Sequence, residues 1–332
     1  MEVGGPTMLV ISGSDVRKLV DLDSAIESQR EAYRSSSRGT MSAEGVLTAT
    51  SDNGSLIFAV TGAIAGSTGV AFKIGSENPG NTQRGLSTVQ SAVLLTDAVT
   101  SEVLACLNGT ELTALRTSAG VAAAADALAR RGATSLGIVG SGTQAREVAR
   151  MTSSVRALTD IQVWSRSAER RDSLVAALNE DPFVQAKVVA GPSARSASEC
   201  DVVVTCTTSH DPVVEGEWLN PGATLLTIGS YAPERREIDL RASERAACTF
   251  VDNVDKALAW SGPLREALSH GVIDAKDVRP IGGVLMDDSA GREHENDILI
   301  FHSLGLAIQD ATLGWMIFGR AIRDGLGVTV EF

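Results

Sequence analysis

Four shortages in this 332-residue chain each remove a class of function. Cysteine occurs only at Cys106, Cys200, Cys206 and Cys248. These lie far apart, with no C-x-x-C pair and no histidine at ligand spacing, so neither a zinc site nor any other metal centre is expected. Basic charge is also short: 29 Lys and Arg stand against 41 Asp and Glu, for a net charge of −12. The basic residues are scattered, which leaves no electrostatic footprint for nucleic acid or an anionic membrane. No apolar run approaches the roughly 20 residues of a membrane span. The stretch from Met1 to Thr7 lacks the basic-then-apolar order of a secretory leader. The expectation is a cytoplasmic protein with reduced thiols and a small-molecule partner.

What is present is a chain long enough for two domains, with a hydrophobic share of 43% that can fill a core in each. Val16, Leu19, Val20, Ala25, Ile26 and Ala32 fall at helical spacing, predicting a surface helix over residues 14–37. From Val46 to Leu107 the texture changes to short β-rich runs (46–50, 56–61, 69–74, 89–97 and 102–107) separated by Gly, Asn, Asp and Ser, which predicts an antiparallel sheet or barrel-like unit. An Ala-rich helix is predicted over 113–129. Beyond it strands and helices alternate as in a parallel sheet with crossovers, with strand candidates at 135–139, 161–164, 186–189, 201–205, 224–228 and 249–251. A long helix is predicted over 303–324.

The first of those parallel strands runs straight into Gly140-Ser141-Gly142-Thr143-Gln144-Ala145 and then a helix. In that strand-turn-helix context a G-x-G-x-x-A turn binds a dinucleotide. Gly140 permits the tight turn, Gly142 lets the backbone approach a pyrophosphate, Ala145 lets helix pack on strand, and Thr143 and Gln144 open a helix whose free N–H groups favour an anion. The second strand ends in Ser165-Arg166-Ser167, with no acid to accept from a ribose 2′-hydroxyl. Arg166, flanked by Ser165 and Ser167, suits a 2′-phosphate, so NADP(H) is expected over NAD(H).

The run Leu112-Thr113-Ala114-Leu115-Arg116-Thr117-Ser118-Ala119, the glycine turn, Gly216-Glu217-Trp218-Leu219-Asn220-Pro221-Gly222-Ala223, and Phe301-His302-Ser303-Leu304-Gly305-Leu306-Ala307-Ile308-Gln309-Asp310 follow one another in order. Together they resemble the ornithine cyclodeaminase/μ-crystallin family over most of the chain. The resemblance implies a doubly wound Rossmann sheet (residues 116–302) inserted in a mixed α/β domain for substrate binding and homodimerisation (1–115 plus 303–332). It also implies a nicotinamide cofactor and hydride chemistry at the α-carbon of a small amino or imino acid. By the same resemblance Lys73 is the active-site lysine and Arg116 the clamp on the substrate carboxylate. A guanidinium fork meets a carboxylate bidentately, and a nearby ammonium can hydrogen-bond it or move a proton. Thr117 and Ser118 are expected near the cofactor phosphates, and Cys206, Thr207, Thr208, Ser230 and Ser303 at further cofactor contacts. Asp310 matches an acidic position of the family's last helix, where a packing or capping role is as good an expectation as a functional one.

Two positions depart from the cyclodeaminases. In Gly229-Ser230-Tyr231-Ala232-Pro233, Tyr231 stands where those enzymes keep an aspartate. A phenol of pKa about 10 is a poor general base near neutrality, so Tyr231 joins the catalytic set of a reductase rather than of a cyclising deaminase. Glu44 stands where many members carry a second carboxylate-binding arginine, which puts the substrate in question more than the reaction. The expected activity is reduction of an α-imino acid by NAD(P)H, or the reverse dehydrogenation. A cyclodeaminase with catalytic NAD and a non-catalytic μ-crystallin-like binding protein are the alternatives. Among the histidines, His210 is expected to be an ordinary loop residue, and His302 has the better claim to a cleft.

Overall fold

A computed structural model of the chain describes residues 7–52, 54–64, 69–286 and 291–331, with the side chains of all of these except 41–44, 64 and 82. The first segment runs β1 (Thr7–Ile11), α1 (Gly13–Leu19), α2 (Leu22–Ser37), β2 (Met41–Thr50), β3 (Leu56–Ile64), β4 (Gly69–Glu77), β5 (Val89–Asp97), β6 (Val103–Asn108) and α3 (Gly109–Leu128). The middle runs β7 (Ser135–Val139), α4 (Thr143–Val155), β8 (Asp160–Trp164), α5 (Ala168–Asn179), β9 (Lys187–Ala190), α6 (Ala194–Ser198), β10 (Val202–Thr205) and β11 (Thr224–Thr227). It continues through α7 (Leu240–Arg245), β12 (Ala246–Val251), α8 (Val254–Trp260), α9 (Gly262–Ser269), β13 (Val278–Pro280), α10 (Ile281–Leu285) and β14 (Ile298–His302). The chain ends with α11 (Ala307–Asp324) and β15 (Val328–Glu331). Two compact units result: one from the chain up to Arg116 and from Leu306 onward, the other from Thr117 to Gly305.

In the first unit the sheet order is β15-β1-β6-β5-β4-β3-β2, antiparallel throughout except where β1 lies parallel to β6. The early helical stretch is two helices, not one. Asp21 accepts from Ser24 N and starts a fresh helix while Val20 is extended, so the cap interrupts an apolar pattern that periodicity alone reads as continuous. That pattern still buries one side of α2, through Leu22, Ala25, Ile26, Gln29, Ala32 and Tyr33.

The second unit is an eight-stranded sheet, β13-β12-β14-β11-β10-β7-β8-β9, in which every pairing is parallel. Its central strands are buried at every position, as in β10 and β14. This is the near-continuous apolar reading of a sheet covered on both faces. The chain steps from β7 outward to β8 and β9, then returns to β10 beside β7 and steps the other way to β11. That reversal is the switch point of a doubly wound fold, where the crevice for a dinucleotide opens at the carboxyl ends of the strands.

Sequence periodicity finds six of these eight strands. It misses β14, whose apolar run Ile298–Phe301 lies directly before the long helix, and the three-residue β13. The expected helix from 303 begins at Ala307, because Ser303 to Leu306 continue out of β14, with Ser303 N bonded to Thr227 O at 2.9 Å.

Candidate active site

In the first unit, three charged side chains come from three different elements to one point. Lys73 lies on β4 between Val60 of β3 and Val93 of β5, on the inward-facing side of a strand that alternates buried and exposed residues. Arg116 is carried on α3. Asp310 lies in the first turn of α11, whose start comes close to β3 because Gly62 has no side chain: a Cβ there would lie 2.7 Å from Ala307. Asp310 Oδ1 accepts from Lys73 Nζ at 3.3 Å and from Arg116 Nε at 3.2 Å. Side-chain exposure is 5% for Lys73 and Asp310 and 12% for Arg116. The three carry one net positive charge. Lys73 Nζ also sits 5.8 Å from the Phe58 ring centre.

Two cations gathered on one carboxylate oxygen, with the Arg116 fork bound to it through Nε, favour a further anionic oxygen beside them. The trio is therefore chemically suited to a monocarboxylate ligand. Asp310, which sequence reasoning left between packing and function, is the residue that holds the two cations together. Its signal was a lone charge in the first three turns of that helix, residues 307–317. Glu44 lies on β2 opposite Gly62, and its side chain is outside those described.

In the second unit, β7 delivers the glycine turn as expected. Gly140 has φ +137°, and a Cβ there would lie 2.7 Å from Cys206 O and Sγ; the turn therefore requires glycine both for conformation and for space. Around Gly142 a Cβ would meet nothing within 4 Å, and Gly142 caps α4 with no side-chain bond to the helix end. The N–H groups opening α4 thus face open space beside a bare backbone, which fits a pyrophosphate. Ala145 is fully buried. Ser118 Oγ, on α3, donates to Gln144 Oε1 at 2.9 Å and ties that helix to the turn; Thr117 beside it is buried.

At the end of β8, Ser165 accepts from Ser141 Oγ at 2.8 Å, Arg166 is exposed, and Ser167 caps α5 by accepting from Arg170 N. After β10, Cys206 packs against the turn, with its thiol pushed upward by burial and by the charge of Glu237; Thr208 is exposed. Thr207, Gly229 and Ser230 converge on Glu237, a buried acid that sequence reasoning did not single out. Tyr231 Oη accepts from Arg235 Nη1 at 2.7 Å, and the guanidinium lies 4.7 Å from its ring centre.

His302 does not behave as a cleft acid. It is 1% exposed and held by Thr227 Oγ1 at 2.9 Å, and burial lowers its pKa to about 4, so it is neutral across the physiological range. His210 is exposed, with Nδ1 3.1 Å from Glu234 O. Among the described residues no group of His, Cys, Asp and Glu is arranged to hold a metal ion, and no helix is long and apolar enough to cross a membrane.

The family model of the ornithine cyclodeaminase/mu-crystallin family matches residues 7–325. A Delta(1)-pyrroline-2-carboxylate reductase of Bacillus cereus is 30% identical over 98% of this chain and 100% of its own length. The structure of Thermococcus litoralis Delta(1)-pyrroline-2-carboxylate reductase with NADH and L-proline superposes with a TM-score of 0.92 at 29% identity, over 97% of this chain and all of that one. An archaeal alanine dehydrogenase dimer with bound NAD gives a TM-score of 0.91 at 29% identity, over 98% and 99%.

Proposed function

The chain belongs to the ornithine cyclodeaminase/mu-crystallin family, and from that premise we propose that it is a cytoplasmic NAD(P)H-dependent reductase of small α-imino acids, able to run in reverse as an amino-acid dehydrogenase. The observation that carries the reading is the shared Asp310 oxygen: it gathers Lys73 and Arg116 at one buried point, where a substrate α-carboxylate can be gripped. The relatives reduce imines or oxidise amino acids by name, and the same site serves both directions.

Arg116 grips the substrate carboxylate through its fork. Lys73 holds a proton beside the imine nitrogen and, by donating it directly or through water, makes an iminium, the better hydride acceptor. Asp310 keeps both cations aimed at one place. The nicotinamide, when bound, supplies the hydride. The Gly140–Ala145 turn takes the pyrophosphate, and Arg166 with Ser165 and Ser167 takes a ribose 2′-phosphate, favouring NADP(H), although the two similar structures hold NADH and NAD. Tyr231 argues against cyclising deamination, because a phenol is a poor general base near neutrality and its oxygen is already engaged by Arg235; it serves as an orienting or donating group.

The first unit supplies substrate binding and dimerisation, the second the dinucleotide site. Support for a homodimer comes from β2, β3 and β4, which leave Val46, Leu47, Ile57, Phe72 and Ile74 exposed by 39–72%; most of them line one shallow apolar concavity. Clustered apolar exposure of this kind marks an association surface, and the archaeal relative is a dimer. Changing Leu47 and Ile74 to Glu is expected to yield monomers in light scattering. The activity is tested by NADPH and NADH oxidation with cyclic α-imino acids and with 2-oxo acids plus ammonia or methylamine. Turnover confined to one class names the substrate group; failure to turn over any of them with cofactor binding intact refutes the reading.

A further inference from the structure

The second unit contains a buried acid that the proposed chemistry does not yet use. Glu237 is 0% exposed, and its carboxyl joins two loops. Oε1 accepts from Thr207 N at 2.6 Å and Thr207 Oγ1 at 2.9 Å, after β10. Oε2 accepts from Gly229 N at 2.7 Å and Ser230 Oγ at 3.3 Å, after β11. Thr207 Oγ1 accepts from Ser209 N and Ser230 Oγ from Glu237 N, which leaves the proton of each hydroxyl available to the carboxyl. Two amide and two hydroxyl donors, all uncharged, match the four lone-pair sites of an ionised carboxylate. Burial holds the pKa above the ordinary glutamate value, and these bonds offset part of that rise. Gly229 shows how closely the loops are drawn in, since a Cβ there would lie 1.8 Å from Thr207 O and 2.8 Å from the Glu237 carboxyl carbon.

Where this charge lies follows from the sheet. The dinucleotide turn follows β7, strands β8 and β9 continue to one side, and β10 and β11 return on the other. In a doubly wound fold each side of the switch point takes one half of the dinucleotide. The Ser165–Ser167 ribose segment belongs to the β8 side, so the loops tied by Glu237 border the nicotinamide half.

Resting on the dinucleotide-dependent reading above, we propose that Glu237 is a positioning residue of the nicotinamide half-site, fixing the loops after β10 and β11 while its uncompensated negative charge selectively stabilises the oxidised, positively charged nicotinamide. Hydride delivery leaves that positive charge on the ring, and an anion fixed before the reaction favours its appearance without reorganising.

The test compares dissociation constants, read by calorimetry, for the oxidised dinucleotide, the reduced dinucleotide and the matching ADP-ribose fragment. In Glu237→Gln the oxidised form is expected to weaken about tenfold relative to the reduced form, the scale of one unit charge about 12 Å away under an effective dielectric constant of about 20. ADP-ribose binding, which the glycine turn supports, stays within about twofold of wild type. Glu237→Asp, which keeps the charge, retains the wild-type ratio even as both affinities fall. Glu237→Met repeats the neutralisation without an amide that would face Thr207 N or Gly229 N. Equal weakening of oxidised and reduced forms in the neutral variants, or loss of ADP-ribose binding in both, makes Glu237 a structural residue only and overturns the proposal. Absence of any dinucleotide binding by the wild-type protein instead refutes the functional reading on which it rests.

Discussion

The two units build their sites from opposite materials. The first relies on charged side chains: Lys73, Arg116 and Asp310 converge from a strand and two helices on one carboxylate oxygen. The second relies on backbone: two glycines, an uncapped helix start and loop amides gathered by a buried acid. A side-chain site fails through loss of charge balance, whereas a backbone site fails through the arrival of a side chain. Damage to one should therefore leave the other's ligand bound.

The largest effect is expected at the clamp. Arg116→Ala should lower kcat/KM for the imino acid by roughly a hundredfold or more, the cost of truncating one partner of a desolvated charge pair. Dinucleotide affinity, read by fluorescence titration, should be unchanged; a parallel loss of both would merge the two sites. The converse is Gly142→Val. With open space where its Cβ would be, the variant should fold normally and bind dinucleotide at least about tenfold more weakly, because the side chain occupies the pyrophosphate approach. Gly140→Val is the contrasting case: it meets Cys206 and a φ of +137°, so its unfolding temperature should fall as well. An unchanged dinucleotide affinity in Gly142→Val would remove the phosphate role from this turn.

These variants also separate what was legible in the sequence from what was not. The glycine turn can be read because its chemistry is local: six consecutive residues carry conformation, space and helix start together. The charge trio cannot be read by spacing, because Lys73, Arg116 and Asp310 are 43 and 194 residues apart in succession and meet only through the sheet and α11. Family resemblance picked out the two cations, but nothing in the local pattern showed that Asp310 would bind both. Glu237 was missed for a similar reason. Arg235-Arg236-Glu237 reads as a solvated charge run, yet Glu237 is drawn in by amides 8 and 30 residues away. The split of residues 14–37 at Asp21 shows the same limit on a smaller scale, since a capping acid and a surface acid look alike to periodicity.

Asp310→Asn should destabilise the first unit by about 3 kcal/mol, because two buried cations lose their common anion. Excess substrate-like carboxylate should restore part of the lost unfolding temperature, and dinucleotide should restore none through this unit. The smaller, cofactor-directed change is Arg166→Ala, expected to raise the KM for NADPH about tenfold, as for loss of one charge-assisted contact, and to leave that for NADH alone. Equal effects on both would remove the 2′-phosphate role.

The remaining effect concerns pH. His302 has its pKa lowered in the folded state from the ordinary 6.5 to about 4 by burial. The folded state therefore resists protonation while the unfolded state accepts it. The stability contributed by the neutral ring is fully present above pH 6.5 and is lost as pH falls from there toward 4, by at most about 3 kcal/mol. Thermal unfolding of His302→Asn should show a shallower decline than wild type across that window; an identical slope would remove the imidazole from the account.

The most direct test of the central claim is a pair of readings on the same preparations: reduced dinucleotide oxidation with a panel of cyclic α-imino acids, and dinucleotide binding, for wild type and Arg116→Ala. The expected result is turnover by the wild type, its near-complete loss in Arg116→Ala, and equal dinucleotide affinity in both. Undiminished turnover in Arg116→Ala, or a wild type that binds dinucleotide and reduces no imino acid, would contradict it.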